Sequence, residues 1–137
     1  APAPGVLDAI AAADAILLAP SNPVVSIGTI LAIPGIRDAL RAASAPVVGV
    51  SPIIGGAVVR GMADVCLTAI GVETSASAVA AHYGARSDGG LLDGWLVDDV
   101  DAGAVVVDGV RVTARPLLMT DVHESASIAA AALDLGR

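Results

Sequence analysis

Residues 14–28 read DAILLAPSNPVVSIG, a short apolar segment that ends in a Pro-Ser-Asn-Pro loop and leads into a helical pattern. Residues 46–56 read PVVGVSPIIGG and repeat this arrangement, with an apolar segment followed by a loop that contains serine and glycine. Strands without polar residues are typical of parallel sheets that are buried on both faces. Alanine-rich helical patterns alternate with these strands along the chain. The sequence therefore predicts an α/β fold of the Rossmann-like, doubly wound type, with a mainly parallel sheet and helices on both faces.

The same patterns place the remaining elements. We expect strands at 14–19, 46–50, 95–100 and 104–114, and helices at 5–13, 26–33, 34–44, 62–70, 74–83 and 121–135. Asp108-Gly109 is a turn signal between two valine-rich runs, which predicts a smaller strand hairpin near the C-terminus. Thr74 or Ser75 can cap the helix that ends at Tyr83, and Thr120 or Asp121 can cap the last helix, where Asp121 and Glu124 have the spacing of a capping box. No repeat or linker is apparent, so residues 1–137 are expected to form a single α/β domain.

Composition excludes several classes of protein. The chain has 137 residues, of which 55% are hydrophobic, and a net charge of −7 with no lysine. This charge, with Tyr83 and Trp95 as the two aromatic residues, argues against a nucleic-acid-binding protein. Three prolines interrupt the uncharged run at 15–36, which argues against a membrane-spanning helix. Cys66 is the single cysteine and no signal peptide opens the chain, so we expect a cytoplasmic protein.

The candidate site lies in the loops that follow the first two strands. In an open parallel sheet such loops meet at one edge, where ligands bind. A helix that begins at Ser26 would direct free backbone N–H groups toward a phosphate, and the glycine pair could let an anion approach closely. The candidate nucleotide- or phosphate-binding residues are Ser21, Asn22, Ser26, Ile27, Gly28, Thr29, Ser51, Gly55, Gly56 and Arg60. Because serine, asparagine and glycine are also ordinary turn formers, both loops could instead be simple connections.

Other polar residues are weaker candidates. His123 and Glu124 are adjacent and do not share a helix face, as a metal-binding pair at positions i and i+4 would. Asp98, Asp99 and Asp101 could bind a hard cation or form a solvated edge. We therefore predict no metal ligand in this chain and assign no catalytic residue.

A resemblance to a known family rests on three segments in order. These are SNPVVSIGTILAIPGIRDAL at 21–40, VVGVSPIIGG at 47–56 and RGMAD at 60–64. With them, the chain resembles the carboxy-terminal part of the 2-phospho-L-lactate transferases of deazaflavin coenzyme F-420 biosynthesis. The resemblance includes the actinobacterial type that uses phosphoenolpyruvate.

The resemblance implies a specific reaction. Enzymes of this family transfer a phospholactyl or phosphoenolpyruvyl group from a guanosine-diphosphate-linked donor to the ribityl hydroxyl of the deazaflavin Fo, and GMP leaves with the assistance of Mg²⁺. By resemblance, the first loop would line the nucleotide side of the cleft, the second would lie next to it, and Arg60 stands where a basic residue is common.

Family members are much longer, and their opening half carries a glycine-rich turn and the acidic residues for metal and acceptor. We therefore expect this chain to be the C-terminal portion of a longer homodimeric transferase, with the magnesium ligands outside it. By itself the chain is expected to be inactive.

Two alternatives remain open. The chain could be a non-catalytic module of the same superfamily that binds nucleotides or sugar nucleotides. It could also be a structural domain whose apolar surface docks a missing half or a partner.

Overall fold

The structure, a computed structural model, describes all of residues 1–137. The α-helices are α1 (Val6–Ala11), α2 (Ile27–Leu31), α3 (Ile36–Ala42), α4 (Ala63–Ala69), α5 (Ala76–Tyr83) and α6 (Val122–Leu135). The strands are β1 (Ile16–Leu18), β2 (Val47–Val50), β3 (Ile53–Ile54), β4 (Ala57–Val58), β5 (Gly94–Val97) and β6 (Arg111–Ala114). No helix in the structure has the length and apolar character needed to cross a membrane.

Four strands form the main sheet, in the order β1-β2-β5-β6, and every neighbouring pair is parallel. Helices lie on both faces of this sheet. The predicted Rossmann-like α/β class with a mainly parallel sheet is therefore confirmed.

The two faces of the sheet bury different sets of side chains, because successive residues of a strand point in opposite directions. Val47 of β2 and Trp95 of β5 belong to the larger core, which also contains residues of α2, α3, α4 and α5. Val48 and Leu96 belong to the smaller core on the other face, where α6 contributes Ile128, Ala132 and Leu135. Both strands are buried at every position, which explains their uninterrupted apolar sequence.

Trp95 is the largest fully buried side chain, and its packing requires a glycine beside it. Gly49 is its neighbour in the adjacent strand, and a Cβ at Gly49 would lie 2.5 Å from Cζ3 of the indole ring. The indole Nε1 donates a hydrogen bond to the Ala76 carbonyl oxygen at 3.1 Å. The middle of the sheet and the start of α5 are thereby fixed to each other.

The predicted position of the hairpin is wrong. The small antiparallel hairpin is formed by β3 and β4, not by residues 104–114. Only Arg111–Ala114 of the latter region is a strand, and it pairs in parallel with β5. A parallel partner needs a crossover, and residues 98–110 provide it. The turn at Asp108-Gly109 therefore leads into β6 without reversing a strand.

Two helix starts agree with their predicted caps. The Ser75 side chain accepts a hydrogen bond from the Ala78 amide, and the Asp121 side chain accepts one from the Glu124 amide. The second half of the predicted capping box is absent, because the Glu124 carboxylate pairs with Arg115 at 3.3 Å. The ion pair ties the start of α6 to the end of β6.

Candidate functional site

A cavity of about 610 Å³ lies at the carboxyl ends of the main-sheet strands. Its walls come from the segments that follow β1, β2 and β6, together with the connection between β4 and α4. The lining residues are Pro20, Asn22, Ser51, Pro52, Ile54, Val59, Arg60, Gly61, Met62, Ala63, Leu117, Leu118, Met119 and Thr120. Its position is that of ligand sites in open α/β sheets, and its volume is within the range of small-molecule sites.

Arg60 is the single charged residue among those that line the cavity. No aspartate or glutamate lines it, although the whole chain has a net charge of −7. The local charge of this cavity is therefore opposite in sign to that of the molecule. An exposed guanidinium can form charge-assisted hydrogen bonds to phosphate or carboxylate oxygens.

The remaining lining is largely apolar and incompletely covered. Val59, Met62, Leu118 and Met119 are each at least half exposed, and the two methionines are the only ones in the chain. Methionine side chains adapt to the shape of a bound group and make favourable contacts with aromatic rings. The cavity thus combines one cation with an apolar surface that suits a planar ring.

Asn22 lies in the cavity wall, and its side chain organises the first loop. Its Oδ1 accepts hydrogen bonds from the amides of Val24 at 2.9 Å and Val25 at 3.2 Å. Its Nδ2 donates to Sγ of Cys66 in α4 at 3.4 Å. An amide group carries two N–H bonds, so one donor of Asn22 is left for a ligand.

Ser51 also lines the cavity, but its hydroxyl is engaged. It is buried, its Oγ donates to the Ile53 carbonyl at 2.8 Å, and it accepts from the Ile53 amide at 3.1 Å. The hydroxyl therefore shapes the turn from β2 into the β3–β4 hairpin.

The other predicted residues of the first loop do not line the cavity. Ser26 stands at the start of α2, yet its side chain forms no capping bond, and the Ile27 amide donates to the Asn22 carbonyl at 3.0 Å. The Ile27 side chain is part of the larger core, and the Thr29 hydroxyl donates to the Val25 carbonyl.

A Cβ at Gly28 would lie 2.8 Å from the Pro23 carbonyl oxygen, so this glycine is needed for close packing inside the loop. Ser21 is half-buried beside the cavity residue Asn22.

Gly55 and Gly56 form the tip of the β3–β4 hairpin and likewise do not line the cavity. Their φ angles are 58° and 77°, in the left-handed region that two-residue hairpin turns require. The Gly55 amide donates to Oδ2 of Asp101 at 3.0 Å. The glycine pair thus serves a hairpin, and the flanks of that hairpin reach the cavity through Ile54 and Val59.

Two of the three acidic residues after β5, Asp98 and Asp101, have structural partners. Asp98 accepts hydrogen bonds from the amides of Val100 and Leu117, the latter at 2.8 Å, and thereby holds the segment 117–120 at the cavity. No three His, Cys, Asp or Glu side chains of the structure are grouped so that they could hold a metal ion. The residues of this chain therefore do not fit a complete magnesium site.

Sequence reasoning missed the segment 117–120 and the apolar pair Val59 and Met62. No local pattern identifies the segment 117–120, because its position at the cavity depends on the parallel pairing of β6 with β5. Prediction of residues 104–114 as a hairpin removed β6 from the set of strands whose carboxyl ends form the site.

Comparison with protein families and with curated proteins gives clear matches. The profile of the family described as 2-phospho-L-lactate transferase CofD matches residues 1–131. A phosphoenolpyruvate transferase of Streptomyces griseus is 63% identical over 137 residues, and one of Thermobifida fusca is 67% identical over 134 residues. Each alignment covers 98% of this chain but only 42% and 39% of the respective relative. The chain thus spans about two fifths of the length of the curated relatives it matches. Since the family profile covers nearly all of its residues, the chain belongs to the 2-phospho-L-lactate transferase CofD family.

Proposed function

We propose that this chain supplies part of the nucleotide-facing cleft of a transferase of coenzyme F-420 biosynthesis. The transferase moves a phosphoenolpyruvyl or phospholactyl group from a guanosine-diphosphate-linked donor to the ribityl hydroxyl of the deazaflavin Fo and releases GMP. The observation that carries the proposal is the cavity at the strand ends, whose single charged residue is Arg60. Family membership and the names of the relatives support the reaction class.

In this proposal the side chains of the cavity bind and orient the donor. Arg60 pairs with a phosphate oxygen, the free N–H of Asn22 donates to the donor, and the apolar wall that includes Met62 and Met119 packs against a planar ring. Such positioning lowers the barrier by holding the reacting groups in place. None of the lining residues is a carboxylate or a histidine, and we propose that a general base comes from the remainder of the full-length protein.

The resemblance to the family is the only support for magnesium in this proposal. When bound, it neutralises phosphate charge and polarises the phosphorus–oxygen bonds. Since no group of side chains in this chain fits such an ion, we propose that its ligands lie in the remainder of the full-length protein. We also propose that the full-length protein is a cytoplasmic homodimer.

Nucleotide calorimetry on a full-length protein tests the assignment of the cavity. We define the grafted transferase as the Streptomyces griseus relative in which this chain replaces the segment that it matches. We expect it to bind GDP in preference to UDP-sugars, and we expect Arg60→Gln to weaken GDP binding by about tenfold, the loss of one charge-assisted bond. Arg37→Gln removes the same charge on α3, away from the cavity, and serves as the matched control.

The outcomes separate the proposal from its alternative. Equal GDP affinity in the Arg60 and Arg37 variants would show that the cavity does not bind the nucleotide. Binding of UDP-sugars in preference to GDP, with no GMP release from a donor, would identify a non-catalytic sugar-nucleotide module instead.

A further inference from the structure

The two edges of the main sheet differ in chemistry. β6 forms one edge and carries Arg111 and Thr113, both exposed. β1 forms the other edge and consists of Ile16, Leu17 and Leu18, without a polar side chain. Natural edge strands are usually protected from further pairing by charged or polar side chains. The β6 edge has this protection and the β1 edge does not.

The backbone of β1 is open toward a further strand. The Ile16 amide donates to the Pro46 carbonyl at 3.0 Å, so Ile16 faces β2. In a parallel pair, alternate residues direct their N–H and C=O groups to opposite sides. The N–H and C=O groups of Leu17 therefore point away from β2, to the free edge.

The side chain of Leu17 is also uncovered. Leu17 is in register with Val48, so it lies on the sheet face that α6 covers. Helix α6 packs mainly on β5, β2 and β6, and Leu17 remains 38% exposed at the margin of that face. Parallel sheets are normally buried on both faces, so an apolar residue here lacks its expected cover.

The length of the relatives indicates what occupies this edge. The chain spans only 42% of the Streptomyces griseus relative and 39% of the Thermobifida fusca relative, so a full-length protein has more than enough additional chain to extend the sheet. We propose that β1 is an interior strand of the full-length protein. A strand from the part outside this chain pairs with β1 in parallel, and an apolar segment of that part covers Leu17. A parallel arrangement continues the direction of all four strands.

Hydrogen exchange followed by NMR tests this proposal without any nucleotide, so its result is independent of the proposed reaction. We expect the Leu17 amide to exchange at least about a hundredfold more slowly in the grafted transferase than in this chain alone. The Ile16 amide, bonded to β2, reports whether the sheet is folded in each sample. The Val112 amide faces the free edge of β6, because the Arg111 amide donates to the Asp93 carbonyl, and we expect the Val112 amide to exchange rapidly in both samples.

Equal exchange of the Leu17 amide in the two samples overturns the proposal. So does slow exchange in this chain alone that increases with concentration, because the partner would then be a second copy.

A pair of variants provides a second measurement. In the grafted transferase, Leu17→Lys is expected to lower the urea midpoint of unfolding, since the charge would be placed under the covering segment. Thr113→Lys, at the exposed edge of β6, is the matched control and is expected to leave the midpoint unchanged. If the two variants have the same midpoint as the unmodified grafted transferase, β1 is a true edge and the proposal is wrong.

Discussion

At the scale of single residues, Asn22 has two distinct functions. Its side-chain oxygen Oδ1 accepts hydrogen bonds from two amides of the loop. Its side-chain nitrogen Nδ2 donates to Cys66 and retains one free N–H. The sequence predicted a polar residue at the site but not this division, because which atoms of an asparagine are already bonded depends on the conformation of the loop.

Removal of the Asn22 side chain tests its contribution to the reaction. In the grafted transferase, we expect Asn22→Ala to reduce donor turnover, measured as GMP release, by at least about tenfold, which is the equivalent of one charge-assisted bond. Asn22→Asp keeps the acceptor for the loop amides but loses the donor, so turnover should fall while the unfolding midpoint stays close to that of the unmodified protein. An unchanged rate for Asn22→Ala would contradict the assignment of this loop.

Tyr83 makes stability depend on pH in the alkaline range. Its ring packs edge-on against Trp95, with centroids 5.9 Å apart, and burial raises the pKa of its hydroxyl above the ordinary value of 10.0. Above about pH 10 the unfolded chain releases this proton while the folded chain retains it, so the free energy of unfolding falls as pH rises. Below that pH the hydroxyl is neutral in both states and contributes no pH dependence.

Urea titrations of this chain between about pH 9 and about pH 12 measure this effect. The chain has no lysine and no other tyrosine, so few other groups ionise in this interval. We expect Tyr83→Phe to flatten the alkaline decline of the urea midpoint. If the decline were as steep in the phenylalanine variant as in the original chain, Tyr83 would not be its source.

At the scale of elements, Arg86 joins three of them. Its Nη2 lies 2.6 Å from Oδ2 of Asp93, and its Nη1 donates to the carbonyls of Ala43 and Ala45 at 2.9 and 3.0 Å. These carbonyls follow α3 and precede β2, and Asp93 directly precedes β5 and also accepts a bond from the Val47 amide. Arg86 thus fixes the end of α3 to the beginning of two central strands.

Loss of this arginine is expected to be costly. The side chains of Arg86 and Asp93 are 19% and 27% exposed, so Arg86→Ala leaves a largely buried carboxylate and several carbonyls without a partner. We expect the free energy of unfolding to decrease by about 3 kcal/mol. Arg86→Lys should recover only part of it, because an ammonium cannot form the same planar fork. Chemical denaturation provides the measurement.

A surface ion pair provides the control for this prediction. Arg41 lies 3.6 Å from Asp38 on the exposed side of α3, and Arg41→Ala is expected to change the free energy of unfolding very little. Equal losses for the Arg86 and Arg41 variants would show that Arg86 is an ordinary surface residue.

Helices and central strands were the predictable elements. The apolar runs of β2 and β5 and the caps at Ser75 and Asp121 correspond to the structure, because these patterns act within a few residues. The hairpin was misplaced because a turn signal such as Asp108-Gly109 does not specify the partner of the following strand. That partner is β5, which is more than ten residues earlier in the chain.

At the scale of the whole molecule, the chain is expected to be inactive by itself. Its cavity provides one arginine, polar loop residues and an apolar wall, but no carboxylate or histidine. Incubation of the purified chain with a guanosine-diphosphate-linked donor, Fo and Mg²⁺ should therefore yield no detectable GMP, whereas the grafted transferase should release it. Measurable turnover by the chain alone would show that the catalytic groups are present within residues 1–137.

The net charge of the chain does not describe the charge at the cavity, because the fold determines which charged residues lie there. A value of −7 is unfavourable for an anionic nucleotide when the molecule is considered as a whole. The fold places Asp98 and Asp101 in hydrogen bonds to backbone amides and leaves Arg60 as the one charge at the cavity. The charge that lines the cavity therefore differs in sign from the net charge of the chain.

The sequence by itself determined the alternation of strands and helices, the burial of the central strands on both faces and the edge of the sheet at which the cavity lies, because these follow from local periodicity and from the geometry of parallel strands. The segments related to the family could also be recognised from the sequence. Only the tertiary structure decided that Gly55-Gly56 belong to a hairpin, that Ser51 is engaged in a turn, that residues 117–120 complete the cavity and that β1 is an unprotected edge. Each of these depends on contacts between residues far apart in the chain, or on which hydrogen bonds are already made, and neither is contained in a local sequence pattern.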